Sequence, residues 1–500
     1  MQLGPVDIVI IIAYIIVLYA IARRARLFMQ KKALTEGEAT NLIENHYIAG
    51  KSITFWELIL SIIATEFSAM AFLMIPTYVY YENLSFIRFI IGACISRIFI
   101  ATYFLPKIYG KGLTIFETLA RGIYGYSHLS KEANMGRKTF AFFYIAGKLV
   151  GVSVKLLGSA LLISEFFSIS PFLAIILIAV MTYIYIILGG LKAVVRTDIL
   201  QAAVFITGGF AAHFIIGKMS SYTWGELMSV GFQSGKFSLF SDSGVLSFIY
   251  GIVGGFVYDA NSHGVDQEMT QKLFGAKDME TAKKAMIWSA AGSILVNMLF
   301  LSLGVALWAY YSKHGQSLPP PEKIFSHLIM FHFPSPIKGL MVASILAAAM
   351  STLDSSINAL SSVLWNDLMT VKDSKEFKLF INLDNLIITL GIVIFAYMLH
   401  FVPEVLKIAQ HFSFVGTGAL LAFFLCRMVF YRQIRIRFSS SLILLSFYAC
   451  ILGMALNHFR FGFNPQLTIL WGVVSTIGFL WLYSKVSNFF KTSSESEYSI

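Results

Sequence analysis

Ser351, Asp354, Ser355, Asn358 and Ser362 recur at helical spacing inside a stretch long and apolar enough to lie within a bilayer. Steps of three and four residues place these oxygen-bearing side chains on one face of a helix. The run around them, Ala347-Ala348-Ala349-Met350-Ser351-Thr352-Leu353-Asp354-Ser355-Ser356, is dominated by small and hydroxylated residues. Hydrocarbon offers polar atoms no water, and a carboxylate at the bilayer centre costs roughly 2.5 to 3.5 kcal/mol on insertion scales. The seam must therefore face protein, water or an ion. Small residues and hydroxyls alone would serve equally for close helix packing; Asp354 and Asn358 shift the reading toward a functional site.

Three other stretches carry polar groups at membrane depth. Ser61-Ile62-Ile63-Ala64-Thr65-Glu66-Phe67-Ser68-Ala69-Met70 holds a glutamate near the middle of an apolar span. Gly251, Gly254 and Gly255 precede Tyr258-Asp259-Ala260-Asn261 in another span, five further along. Interrupted helices at equivalent positions of two inverted repeats expose backbone atoms to ligand in secondary transporters; glycine-mediated packing is the plainer alternative. Lys148 and Lys155 lie seven residues apart, on one face of a fourth span.

The elements that must position these groups follow from composition. Of 500 residues, 57% are hydrophobic, 15% aromatic and 13% charged, which is the balance of an all-α polytopic membrane protein seated in a lipid bilayer. A spanning helix needs about 20 apolar residues. Thirteen stretches qualify, at 6–22, 54–80, 84–107, 138–167, 171–189, 194–217, 246–266, 285–312, 336–364, 380–401, 404–430, 439–457 and 466–486.

Lysine and arginine collect in every second loop, among them Arg23, Arg24 and Arg26, then Lys192 and Arg196, then Lys272, Lys277, Lys283 and Lys284, then Arg427, Arg432, Arg435 and Arg437. That asymmetry predicts an outside N-terminus and a cytoplasmic C-terminus. It also accounts for most of the formal charge of +11 without a nucleic-acid partner. The first span has its arginines after it, so it reads as a retained helix and not a cleaved signal.

Cys94, Cys426 and Cys450 all fall inside spans and read as packing residues. Residues 114–121 read as a surface helix, 218–245 and 313–335 as external caps, and 487–500 as a cytoplasmic tail, low in apolar content and unstructured over 491–497.

Several separated motifs together resemble the sodium/solute symporter family. They are Tyr47-Ile48-Ala49-Gly50-Lys51-Ser52-Ile53-Thr54-Phe55-Trp56, the stretch from Gly189-Gly190 to Thr197-Asp198-Ile199-Leu200-Gln201, Asp266-Gln267-Glu268-Met269-Thr270-Gln271-Lys272, and the seam itself. The resemblance implies a LeuT-like 5+5 inverted repeat, here 54–217 and 246–430, with one extra helix before at 6–22 and two after, within 439–486. It implies a sodium ion as co-transported partner of a small-molecule solute. The ion would be held by the carbonyls of Ala64, Phe67 and Ala348 and the hydroxyls of Ser351 and Thr352. Neutral oxygen donors of this kind suit a hard cation that must be released again.

Some sialic-acid-transporting members have a second sodium site, whose matching positions are Asp198, Ser351, Asp354 and Ser355. Asp354 puts a carboxylate where those members have a hydroxyl. It would hold a cation, accept a proton, or pair with a basic residue. Glu66 resembles an accessory acidic residue of the proline-transporting members.

A sugar is disfavoured, because the glutamine and the aromatic gate of sugar-transporting relatives are replaced by Ala71 and Ser262. Sialic-acid members place an arginine near the Lys148 position, so an anionic cargo, a carboxylate or acidic sugar, would find its counter-charge in Lys148, with Ser68, Asp259 and Asn261 beside it. The alternative is that one of the two lysines pairs with Asp198, Asp354 or Glu66 while the other extends to the interface. An enzyme is disfavoured, since no His-Glu-x-x-His, Gly-x-Ser-x-Gly or phosphate-binding glycine loop occurs. A proton-coupled carrier of an amino acid such as proline and a transporter-like sensor stay open as alternatives.

Overall fold

A computed structural model describes residues 3–36, 41–123, 131–220, 222–240, 244–314, 323–369, 374–402, 417–429, 440–461 and 465–497. Among these residues the fold is helical, with one isolated backbone bridge between Ile53 and Ala276. Helices are what the composition demands, since a spanning segment must satisfy its own backbone polar groups.

The principal helices in chain order are α1 (Pro5–Glu36), α2 (Asn41–Tyr47), α3 (Phe55–Glu66), α4 (Ala69–Tyr81), α5 (Ile87–Phe99), α6 (Lys131–Phe167), α7 (Pro171–Ser220), α8 (Trp224–Gln233) and α9 (Gly244–Asp259). They continue with α10 (Gln267–Phe274), α11 (Met279–His314), α12 (Ile324–His332), α13 (Ile337–Val363), α14 (Ser374–His400), α15 (Thr417–Met428), α16 (Ser440–Phe461) and α17 (Pro465–Glu497).

Nine helices among the described residues are long and apolar enough to cross a membrane, or ten when the bent pair α3 and α4 is taken as one crossing. The difference from thirteen arises at three places. The spans expected at 171–189 and 194–217 are two helical segments that run together as α7 across a kink at Gly189 and Gly190, and so count once. The span expected at 246–266 is the shorter α9 followed by a π-helical turn, Ala260–Val265. Of the span expected at 404–430, only α15 lies within the described residues.

Gly190 is required at the α7 kink. Its φ of +56° falls in the left-handed region, and a Cβ there would sit 2.6 Å from the His46 carbonyl oxygen. The kink leads Lys192 and Arg196 to the start of α3. Thr54 opens that helix, its backbone N–H and hydroxyl donating to Glu57 Oε2 at 2.9 and 3.0 Å. Lys192 donates to the same oxygen at 2.8 Å and Arg196 to Oε1 at 3.4 Å. The chain just after α10 clamps the same end: Ile53 N–H donates to the Gly275 carbonyl at 3.0 Å, and Lys277 N–H to the Ile53 carbonyl at 3.1 Å.

At the centre runs α13, buried at every position from Met341 to Val363 and packed against α7, α6 and α1. The oxygen-bearing seam is thus part of a helix enclosed on all sides, more completely than a single polar face predicts. Its start is tied to α1, where Asp7 Oδ1 accepts the Gly339 N–H at 2.8 Å.

Four sequence expectations are corrected here. Gly251 and Gly255 do not interrupt their span; they let α9 approach α5, where a Cβ on Gly255 would meet the Phe89 carbonyl oxygen at 2.2 Å. The actual interruption follows at Asp266, in extended backbone. The segment expected as a surface helix is a short buried turn, Ile115–Thr118, whose Ile115 N–H donates to Gln267 Oε1 at 2.8 Å. Lys192 and Lys272, taken as loop charges, are 1% and 0% exposed. Residues 491–497, expected without structure, continue α17, since no glycine or proline stops it.

Candidate functional site

Residues of two breaks line one cavity. Between α3 and α4 the axis turns by 65°, with Phe67 and Ser68 in extended backbone. A helix ending inside the protein leaves its last carbonyls without helical donors, and those of α3 include Ala64. Ser68 caps the next segment, its hydroxyl accepting the Ala71 N–H at 3.3 Å. α3 meets α13 directly: the hydroxyls of Thr65 and Ser355 lie 3.2 Å apart. The expected sodium ligands Ala64 and Phe67 are therefore carried by one element, and Ala348, Ser351 and Thr352 by the element it packs on. The Thr352 hydroxyl donates to the Ala348 carbonyl at 3.0 Å.

Asp198 of α7 sits where α3, α10 and α13 converge. Its Oδ1 accepts from Ser351 at 2.5 Å and its Oδ2 from Ser61 at 2.5 Å. Lys272 of α10 reaches the same carboxylate, with Nζ 2.8 Å from Oδ2 and both side chains fully buried. That ammonium also donates to the Ser61 carbonyl at 3.3 Å and to the Thr65 hydroxyl. Asp354 is separate: its carboxylate accepts from Tyr185 at 2.5 Å and from Ser355 at 3.2 Å, and makes no ion pair among the described residues. The structure thus brings Asp198 to Ser351 and Asp354 to Ser355, and it sets a lysine, unforeseen in the sequence, into the first of these groups.

On the other side of the break lies a cavity of about 490 Å³. Its wall includes Thr65, Glu66 and Phe67 of the break, Lys148 and Lys155 of α6, and Asp259, Asn261, Asp266 and Glu268 around the second interruption. Of the expected cargo-binding residues, Lys148, Asp259 and Asn261 line it and Ser68 does not.

Two charge networks occupy much of that wall. Arg97 of α5, 1% exposed, contacts Glu66 Oε2 at 2.7 Å and Asp259 Oδ1 at 3.2 Å. It also donates to Ser293 at 2.8 Å, Ser289 at 3.3 Å and His263 Nε2 at 3.3 Å. Because a guanidinium only donates, Nε2 accepts, and the His263 proton lies on Nδ1, 2.9 Å from Asp259 Oδ1. Glu66, read as an accessory to sodium, directs its carboxylate to Arg97 and Ser293.

The second network holds Lys148, whose ammonium lies 2.7 Å from Asp266 Oδ2 and also pairs with Glu268. Tyr144 donates to Asp266 at 2.7 Å and Ser356 to Glu268 at 3.1 Å. Lys148 does pair with acidic residues, though with none of the three the sequence offered. Arg97 was legible as an ionisable residue inside an apolar span, a signal of function in itself. Lys272 was hidden by its place in a basic cluster.

A family model described as the sodium:solute symporter family matches residues 46–433. The chain is 26% identical over 336 residues to the sodium/sialic acid symporter NanT of Aliivibrio fischeri, covering 65% of this chain and 64% of that protein. It is 26% identical to the sodium/glucose cotransporter of Vibrio parahaemolyticus, covering 76% and 74%. Sodium-coupled monocarboxylate transporter 1 of Mus musculus is 25% identical, over 64% and 53%. The match therefore spans less than two thirds of the sialic acid symporter and about half of the monocarboxylate transporter.

Among solved structures, a Na+-coupled sialic acid symporter in a substrate-bound outward-open state superposes with a TM-score of 0.81 at 18% identity, covering 97% of this chain and 98% of that one. A nucleobase-cation-symport-1 family transporter gives 0.55 at 12%, covering 90% and 95%. These two establish the shared fold.

Proposed function

The chain belongs to the sodium:solute symporter family, and from that premise we propose that it is a sodium-coupled secondary active symporter importing a small organic anion by alternating access. The observation that carries this is the break at Phe67 and Ser68, set against the buried oxygen-bearing helix α13 and joined to it through Thr65 and Ser355. Sodium would take the carbonyls of Ala64, Phe67 and Ala348 and the hydroxyls of Ser351 and Thr352. Thr352 donates its proton to the Ala348 carbonyl, which leaves its oxygen lone pairs for a cation.

The group of Asp198, Ser351, Asp354 and Ser355 reads differently from the second sodium site it resembles. Lys272 already places an ammonium against Asp198 with oxygen ligands around it, so the positive charge of that position is built into the chain. One sodium ion per cycle follows from this reading. The buried Asp354, held by hydroxyl donors and no cation among the described residues, favours one rival reading in which it carries a coupling proton.

In topology, the reading assigns 54–217 and 246–430 to two inverted repeats of a LeuT-like fold, in thirteen crossings with the N-terminus outside and the C-terminus cytoplasmic.

Thermal unfolding of the purified protein in NaCl, KCl and choline chloride at equal ionic strength tests the coupling ion. A ligand of the folded state stabilises it by RT ln(1 + [L]/Kd). Tm should rise with sodium alone, and Thr352→Ala should lose that rise without losing its fold. Equal Tm in the three salts, with Tm instead tracking pH, would assign the coupling to a proton.

A further inference from the structure

We propose that Lys155, and not Lys148, is the charge that selects the cargo, and that the cargo is a monocarboxylate with a largely apolar body; the proposal rests on the transport reading above. Lys148 is spoken for. One ammonium there faces two carboxylates, Asp266 and Glu268, which Tyr144 and Ser356 hold in place. An incoming anion would meet surplus negative charge at that point.

Lys155 lies two turns further along the same face of α6 and lines the same cavity. The residue is exposed, and it is part of the cavity wall. Its ammonium makes neither a hydrogen bond nor an ion pair among the described residues. An unpaired cation at membrane depth is costly unless it meets water or a counter-ion. A carboxylate delivered into the cavity supplies that counter-ion and a charge-assisted hydrogen bond.

The rest of the wall determines what the carboxylate is attached to. Ile75, Phe86, Phe89, Ile90, Val152 and Val154 present apolar surface. The polar side chains are largely satisfied by one another: Arg97 with Glu66, Asp259 and Ser293, Lys148 with Asp266 and Glu268, and Asn261 Nδ2 with Thr417 at 2.9 Å. Two buried acceptors, Asp259 Oδ2 and Asn261 Oδ1, have no partner among the described residues. Neither has surface open to the cavity. A polyhydroxylated sugar acid would bring its hydroxyls to side chains already engaged in these pairs, and each hydroxyl left unbonded costs roughly 1–3 kcal/mol.

The charges also set an order of binding. Four carboxylates, Glu66, Asp259, Asp266 and Glu268, line the cavity against three cations, Arg97, Lys148 and Lys155. Sodium at the adjoining break offsets the surplus, so the carboxylate binds to the sodium-loaded protein.

The test is ligand-induced thermal stabilisation of the purified protein in saturating NaCl. The probes are propionate and benzoate, their neutral amides propionamide and benzamide, and N-acetylneuraminate. The acids should stabilise and the amides should not. In Lys155→Met the apparent Kd of the better acid should rise about tenfold to a hundredfold, as expected for losing one charged hydrogen bond. Lys155→Arg should recover part of it, and the sodium midpoint should stay at the wild-type value in both variants, which certifies their fold. Wild-type acid binding in Lys155→Met overturns the proposal, as do amides that bind as well as acids, N-acetylneuraminate as the sole stabiliser, or sodium stabilisation with no response to any acid. Acid binding of equal strength when choline chloride replaces NaCl overturns the order of binding and strikes the coupling reading, separately from the role of Lys155.

Discussion

Lys272 and Asp198 form a pair with no exposed surface, and the worth of such a pair lies chiefly in the cost of breaking it. Lys272→Met leaves the carboxylate buried without its cation, so thermal or chemical unfolding should show a loss of about 3–5 kcal/mol. Adding Asp198→Asn should return much of that loss, because the uncompensated charge is gone. A single variant as stable as the wild type would mean that the ammonium is not the partner of Asp198 in solution. At this scale the sequence was informative where a residue type was out of place. The carboxylates Glu66, Asp259 and Asp354 and the hydroxyls of α13 stood out because lipid excludes them, whereas Asp198 entered only through the family resemblance. It failed where a residue type was ordinary for its neighbourhood. Lys272 stood among loop lysines, and only the fold turns its helix inward. The pairing of Lys148 with Asp266 and Glu268 is likewise a product of the second interruption, which the polar residues 258–261 marked only at its near edge and which runs on to Asp266.

The elements were legible in kind more than in limits. Apolar length announced the helices, and the polar residues of 61–70 announced the break between α3 and α4. The glycines of α9 misled, because glycine serves close approach as readily as it serves a break, and the distinction depends on what stands opposite. Contacts across the helices settle it: Gly255 meets the Phe89 carbonyl, and Gly190 meets His46 with φ at +56°. Gly190→Ala should therefore lower stability by at least about 1–2 kcal/mol from the left-handed backbone alone, with the overlap at His46 adding to it. Gly478→Ala is the contrast, since nothing lies within 4 Å of its Cβ position. Replacing a helical glycine by alanine in open space should leave Tm unchanged or raise it. Unfolding curves of the two variants side by side check this, and equal Tm values would show that the Gly190 kink is not a constraint.

For the whole molecule, the account joins one sodium ion, one built-in ammonium and one carboxylate cargo. A monoanion carried with one sodium moves no net charge. Each net charge moved inward through 100 mV would yield about 2.3 kcal/mol, or roughly fifty-fold accumulation at about 1.4 kcal/mol per decade. The count of ions is therefore readable as a dependence on voltage. The decisive measurement is uptake by proteoliposomes of the carboxylate that stabilises the protein best, under an inward sodium gradient, with the potential clamped at zero or at about −100 mV inside. The account predicts that uptake requires sodium and reaches the same accumulation at both potentials. Uptake driven by a proton gradient without sodium, or accumulation that grows about fifty-fold with the applied potential, would contradict it.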